Sequence, residues 1–256
     1  VQALTGMMMM SGDREDAPPL KVGFPVIDVA AGMLGALSVV SALFRRLQNG
    51  QGACIDTSMV QASLMLMYPN ASTYLTHRTQ SPRMGNRGYT GSPTADTYRC
   101  RDGWLATAAN TPAQFRQLTQ VLGLEHLCSD ARALDLEAFN AGEGFVVARD
   151  LPYLREQFHR AFEVREAADM ERRLNEAGVP AARVRTLDEF LAETRDGTQI
   201  RVPGQHFDQD GRDVHTPGLG FRHLHTTPVT RPGAPHLGNA NARLVQAPEI
   251  TDETGA

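Results

Sequence analysis

The chain has 256 residues, 41% of them hydrophobic and 21% charged, with a formal net charge of -4. That composition suits a globular protein with one large core or two modest ones. It excludes a polybasic nucleic-acid or anionic-membrane binder, because basic residues occur as isolated pairs such as Arg45-Arg46 and Arg172-Arg173 rather than as runs. Three cysteines, Cys54, Cys100 and Cys128, lack C-x-x-C spacing, which argues against a disulfide scaffold and for a reducing compartment. Each thiol reads as a small buried apolar group.

Along the chain, the first residue is Val1 and the opening is already apolar, from which a fragment of a longer protein is expected. Met7 to Met10 reads as core filler or an irregular buried turn, since a copper(I) site needs spaced thioethers. Gly23 to Asp28 leads into a helix, with Asp28 the expected N-cap, Arg45 and Arg46 at its negative end and Asn49-Gly50 as the stop. Val29 to Phe44 carries no charge but falls short of the roughly 20 residues a bilayer needs, so a helix buried on all sides is expected. Gly32 and Ala36, one turn apart, would admit a neighbouring backbone.

Gly52 to Asp56 predicts a short buried strand. Thr57 or Ser58 then caps a helix over Met59–Leu75. A hairpin is predicted from Thr97–Cys100 and Trp104–Ala108 around Arg101-Asp102-Gly103. Thr111-Pro112 opens an amphipathic helix to Leu122 with Phe115, Leu118, Val121 and Leu122 on one stripe. From Ser129 to Ala148 the pattern is weak, with Gly142 and Gly144 interrupting it. Two helices follow at Pro152–Phe162 and Arg165–Ala177, then a strand over Ala182–Arg185 and a helix over Leu187–Glu193. Thr198 to Val229 predicts hairpins and loops, and a last helix lies near Ala240–Gln246, before a frayed tail. The mixture is α/β or α+β, with a change of domain near residues 75–95.

Few groups carry chemistry. Met84-Gly-Asn-Arg-Gly-Tyr-Thr-Gly-Ser-Pro93 holds Gly85, Gly88 and Gly91 at every third position. Such a stretch lets backbone N–H groups approach a developing oxyanion, or serves as a plain linker. It has neither the context of a dinucleotide fingerprint nor the G-K-[ST] ending of a phosphate loop. His206, His215, His223, His225 and His236 read as surface histidines rather than metal ligands. Asp208-Gln-Asp210-Gly-Arg-Asp213 has its glycine misplaced for a calcium loop and reads as a polar turn. No Ser or Cys sits in an activating context.

Several segments together resemble class III CoA-transferases of the CaiB/BaiF type. They are Val1-Gln-Ala-Leu-Thr-Gly6, Gly23-Phe-Pro-Val-Ile-Asp28 with Ala31-Gly32 and Ala42-Leu-Phe-Arg45, Asn49-Gly-Gln-Gly52, Ile55-Asp-Thr-Ser58, Gly85-Asn86, Tyr98-Arg-Cys-Arg-Asp-Gly103 with Phe115, Ala177-Gly-Val-Pro180 and Pro235-His-Leu-Gly238. Gly238-Asn-Ala-Asn241 departs from the G-x-H-T that commonly follows there. The resemblance implies an α/β fold: the C-terminal part of the family's fold, with helices, a small α+β domain and an incomplete Rossmann-like domain, in subunits that interlock as dimers. Residues 1–80 would belong to the large domain, 81–195 to the small one and 196–256 to a returning segment.

It further implies a cytoplasmic enzyme that moves CoA between an acyl-CoA thioester and a carboxylic acid through an aspartyl anhydride. No resident cofactor, metal, nucleic acid or membrane partner is implied. The nucleophilic Asp would lie two positions before Val1, outside this chain, which alone would be inactive. Gly85, Asn86, Gly88 and Gly91 would form a loop closing over the substrate, and Gln2 would border the active site. Two alternatives stand beside this: an α-methylacyl-CoA racemase on the same scaffold, and a non-catalytic truncated or split subunit.

Overall fold

The computed structural model describes residues 1–12, 14, 16–88, 92–195, 204–218, 220–221 and 233–245. The chain divides into two compact units, Val1–Val184 and Arg185–Ala256.

The first unit opens with four helices, α1 (Met7–Met10), α2 (Val26–Asn49), α3 (Met59–Leu66) and α4 (Tyr68–His77). The four methionines form one helical turn in which no residue is fully buried, so they are not core filler. α2 starts three residues earlier than expected at its cap. Ile27 is buried and anchors the first turn. Asp28 lies inside that turn, where its charge suits the positive helix end without capping it. At the other end Gly50 adopts φ 75 and donates its N–H to the Arg46 carbonyl.

The expected all-round burial of α2 is absent. Only Ile27 of the helix is buried, and Met33, Leu37, Val40, Phe44 and Leu47 are exposed. A side chain added at Gly32 would meet nothing within 4 Å, so no backbone approaches there. The sequence marks this helix as apolar all round, but burial depends on what covers it, and here only α3 packs along it closely. At 24 residues α2 is also longer than its uncharged run and is long and apolar enough to cross a membrane, a test that core helices pass too.

The segment 51–57 is exposed and is not a buried strand, since no described strand lies beside it. Cys54 within it is exposed, whereas Cys100 is buried and Cys128 half-buried. Ser58 caps α3 through a reciprocal pair with Gln61. The single helix expected over 59–75 is instead two. Pro69, at the second position of α4, has no N–H and its ring opposes the Met65 carbonyl, so the ladder breaks at Met67.

The apolar core lies in the rest of this unit. Strands β1 (Ala95–Arg99), β2 (Trp104–Ala108) and β3 (Ala181–Arg183) form an antiparallel sheet in that order, with Tyr98 opposite Leu105 and Leu105 opposite Arg183. Helices α5 (Pro112–Leu122), α6 (Leu136–Ala141), α7 (Leu151–Glu163) and α8 (Ala167–Glu176) complete it. Phe115, Leu118, Leu154, Phe158, Phe162, Met170 and Leu174 are fully buried. The rings interlock: Tyr98 stacks on Phe162 at 4.6 Å, and Phe115 meets Phe158 edge-on at 5.7 Å.

Local sequence sets these boundaries. Thr111 and Gln114 form a capping box on α5, Gly123 ends it with φ 72, and Asp150 accepts the Tyr153 N–H at the start of α7. The predicted Asp102-Gly103 turn has a second use, since the Asp102 carboxylate accepts the Ala167 N–H at 2.7 Å and so caps α8 from the hairpin tip.

The second unit contains α9 (Leu187–Arg195), a hairpin of β4 (Gly204–Gln209) and β5 (Arg212–Pro217), and α10 (Asn241–Val245). Asp210 and Gly211 both have positive φ, 55 and 77, which makes the calcium-like motif a tight hairpin turn. His206 faces His215 across the hairpin, and Asp213 lies 3.0 Å from His215. A Cβ on Gly233 would come within 2.5 Å of the Asp208 carbonyl, so that close approach requires glycine. His223 and His225, and the loops expected at 198–203 and 222–229, lie outside the described residues.

Candidate active site

The glycine-bearing segment begins at Arg83, which is 4% exposed. Its Nε donates to the Met9 carbonyl at 3.0 Å, Nη1 to the Arg14 and Ala17 carbonyls at 3.1 and 2.5 Å, and Nη2 approaches the Met9 sulfur at 3.4 Å. The rigid fork of a guanidinium is suited to gathering several acceptors at once. Gly85, at φ 62, donates its N–H to the Gly12 carbonyl at 2.9 Å. The turn at 84–88 is thereby tied to the segment 9–17, a few residues from the start of the chain.

Part of the loop's backbone is already engaged. The N–H groups of Gly85, Arg87 and Gly88 are bonded to the carbonyls of Gly12, Met84 and Ala95. Asn86 is exposed and Gly88 half-buried, while Gly91 lies outside the described residues. Sequence spacing shows where glycines recur but not which N–H groups their turns consume.

Gln2 is fixed by the Val22 N–H, which donates to its side-chain oxygen at 3.0 Å. It borders a cleft of about 480 Å³ that Lys21, Phe24, Asp28 and Met59 also line. Gln2 and Asp28 thus share one depression at the N-terminal end of α2, an arrangement the sequence does not announce.

A second cleft, of about 430 Å³, lies between Arg87 and α7 and is lined by Leu151, Pro152, Arg155, Glu156 and His159. Behind it is a buried polar group that sequence reasoning missed. Arg155 Nη2 lies 2.9 Å from Asp96 Oδ2, and the Asp96 side chain is 2% exposed. The Thr97 N–H donates to the other Asp96 oxygen at 2.8 Å. The Tyr98 hydroxyl and Arg155 Nε are buried without a hydrogen-bond partner among the described residues. Burial, with the Asp96 charge nearby, pushes the Tyr98 phenol far up.

His159 meets the Tyr98 ring edge-on at 5.1 Å. Burial first, then the Arg155 cation, lowers its pKa, against weaker raising by Asp96 and Glu163. A lowered folded-state pKa means that the folded form resists protonation. Stability is therefore complete above the unfolded value of about 6.5 and declines as pH falls below it. Melting temperatures measured at pH 7.5 and 5.5 differ less in His159→Gln than in the unaltered chain; an equal difference would show that His159 contributes nothing.

The family model for CoA-transferase family III matches residues 1–241. The chain belongs to CoA-transferase family III. A succinate–glutarate CoA-transferase of Agrobacterium fabrum is 24% identical over 99% of this chain and 61% of its own length. An acetyl-CoA:oxalate CoA-transferase of Acetobacter aceti is 27% identical over 95% and 59%. A succinyl-CoA–D-citramalate CoA-transferase of Chloroflexus aurantiacus is 28% identical over 86% and 50%.

The crystal structure of a CaiB/BaiF family protein from Brucella suis superposes with a TM-score of 0.71 and 23% identity, over 95% of this chain and 60% of that one. The family III fold is thus shared. The chain spans between half and about three-fifths of the length of these relatives.

Proposed function

We propose that this chain is the C-terminal part of a CoA-transferase subunit that moves CoA between an acyl-CoA and a carboxylic acid. The match to the family III model over residues 1–241 is the observation that carries this reading. The mechanism is covalent catalysis by an aspartate outside these residues. Its carboxylate attacks the thioester carbonyl and expels CoA thiolate, leaving a mixed anhydride. The thiolate then attacks the aspartyl carbonyl, releasing the first acid and leaving an aspartyl-CoA thioester. The second acid's carboxylate attacks that thioester and expels the thiolate, forming a second mixed anhydride, and the thiolate attacks its acyl carbonyl to give the new acyl-CoA and free the aspartate. No net hydrolysis occurs provided water is kept out.

This chain contributes scaffold and cover. Arg83 holds the 84–88 turn against the segment 9–17 and Gln2 borders the cleft at the N-terminal end of α2; on this reading that cleft lies beside the reacting groups. On the same reading the complete subunit is a cytoplasmic homodimer. The test is to express the chain with its natural upstream segment and follow exchange of labelled acid into acyl-CoA. Exchange is expected with the upstream segment and none with these 256 residues alone. Loss of α-proton stereochemistry without exchange between acids would replace transfer by racemisation, and neither reaction with any acyl-CoA would leave a non-catalytic subunit.

A further inference from the structure

None of the described residues of the second unit is buried, and its apolar side chains Phe190, Phe207 and Val214 are only half-buried. A two-stranded hairpin is marginal in water, and small units with little core commonly draw their stability from a bound metal.

The exposed face of the β4–β5 hairpin bears the groups such an ion would take. Alternation along the strands puts His206 and Asp208 of β4 on one exposed face with Asp213 and His215 of β5. His206 stands opposite His215, and Asp208 opposite Asp213. The two imidazoles flank one carboxylate: Asp213 Oδ1 lies 3.6 Å from His206 Nδ1, and Oδ2 lies 3.0 Å from His215 Nε2. Donors that share a tetrahedral zinc ion at bond lengths of about 2.1 Å stand about 3.4 Å apart, within that range.

The carboxylates point the same way. Asp208 and Asp213 are like charges directly opposed across the strands, which costs stability and which a bound cation relieves. The Gly211 N–H donates to Asp208 Oδ1 at 3.1 Å and holds that side chain near the turn. Spacing along the sequence does not announce the set, because it assembles only when Asp210 and Gly211 fold β5 back on β4.

We propose that the outer face of the β4–β5 hairpin binds one divalent cation of the zinc class through His206, Asp213 and His215, with Asp208 completing the set, and that the ion staples the two strands. Imidazole nitrogen with carboxylate oxygen selects such an ion over magnesium or calcium. Among the described residues no three such side chains already converge on one ion position. The His206 and His215 side chains are 76% and 75% exposed, so their rings can turn onto the ion without disturbing any packing. The proposal uses no residue of either cleft and is independent of the transferase reading.

Zinc chloride titrated into the 256-residue chain, followed by calorimetry and by amide deuterium uptake, tests the site. One zinc per chain is expected, with at least tenfold slower exchange of the β4 and β5 amides and unchanged exchange in the first unit. Calcium chloride at the same concentration should slow neither. His206→Thr and His215→Thr keep a strand-forming residue in place, and each should weaken zinc binding at least tenfold, the least that loss of a direct ligand removes. Asp213→Asn, which keeps the side-chain shape, should weaken it as well. His126→Gln, at an exposed histidine of the first unit, should leave binding unchanged.

Zinc that binds both threonine variants as tightly as the unaltered chain, or that binds without slowing the hairpin amides, is an adventitious ion only and would overturn the proposal. Equal protection by calcium would also overturn it, in favour of a site made by the carboxylates alone. Acyl exchange by the complete protein, present or absent, bears on none of these results.

Discussion

Replacing Arg83 by methionine lowers the unfolding free energy of the first unit by about 3 kcal/mol, the upper end of the scale for hydrogen bonds made by a charged group. Arg83 is 4% exposed and donates to the carbonyls of Met9, Arg14 and Ala17. Methionine fills part of the space but returns none of those bonds, so three part-buried carbonyls lose their donor and water replaces it only in part. Lysine restores little, because a single ammonium on a flexible stem does not reproduce the fork. Denaturant midpoints of Arg83→Met and Arg83→Lys check this directly. A loss below about 1 kcal/mol in both, the worth of a single ordinary hydrogen bond, would show that the clamp is incidental. Limited proteolysis adds a spatial readout: cleavage between residues 9 and 20 and near residue 85 should accelerate together, since the guanidinium joins those segments.

Arg155→Met should cost about 3 kcal/mol, at the low end for a broken buried pair because the Arg155 side chain itself is 36% exposed. What remains is the informative part. Asp96 is 2% exposed on β1 and keeps only the Thr97 N–H. Its charge then sits against Tyr98 without an opposing cation. Removing the charge as well, in Asp96→Asn with Arg155→Met, should recover most of the loss, since the cost comes from an orphaned charge rather than from a missing attraction. A double variant as unstable as the sum of the two single ones would refute that account.

The small sheet and its helices were legible because their determinants are local. Thr111-Pro112 with Gln114 and then Gly123 bound α5, and Asp102-Gly103 closes the hairpin, each through bonds to residues within a few positions. The burial of α2 was not legible. Composition reports that a helix is apolar, but whether Met33 or Leu37 meets a partner is decided by segments far from it. The break at Met67 was legible in principle, since Pro69 stands in the middle of the expected helix and forbids an unbroken ladder.

The candidate site divides in the same way. Gly85 and Gly88 were marked by spacing, yet their N–H groups are taken by Gly12 and Ala95, which no local pattern foretells. Arg83 reaches residues more than sixty positions away, and its only sequence signal is a charge set between Pro82 and Met84. Arg155 and His159 carry a better signal. They flank the apolar stripe of Leu154, Phe158 and Phe162 on α7, the position where half-buried polar side chains of a helix lie.

The aromatic core has a dynamic consequence. Every residue of that cluster falls between Tyr98 and Val179, while α2 and α3 contribute only Ile27, Ala62 and Ser63 to the buried set. Amide deuterium uptake in the first unit should therefore be graded, with a slow kernel over β1, β2, α5, α7 and α8 and rapid labelling of the helices that precede it. The 84–88 turn joins the two regimes. It is bonded on one side to Gly12 and on the other, through Gly88, to Ala95 at the edge of the kernel. A segment so placed should label at a rate between those of the two regimes.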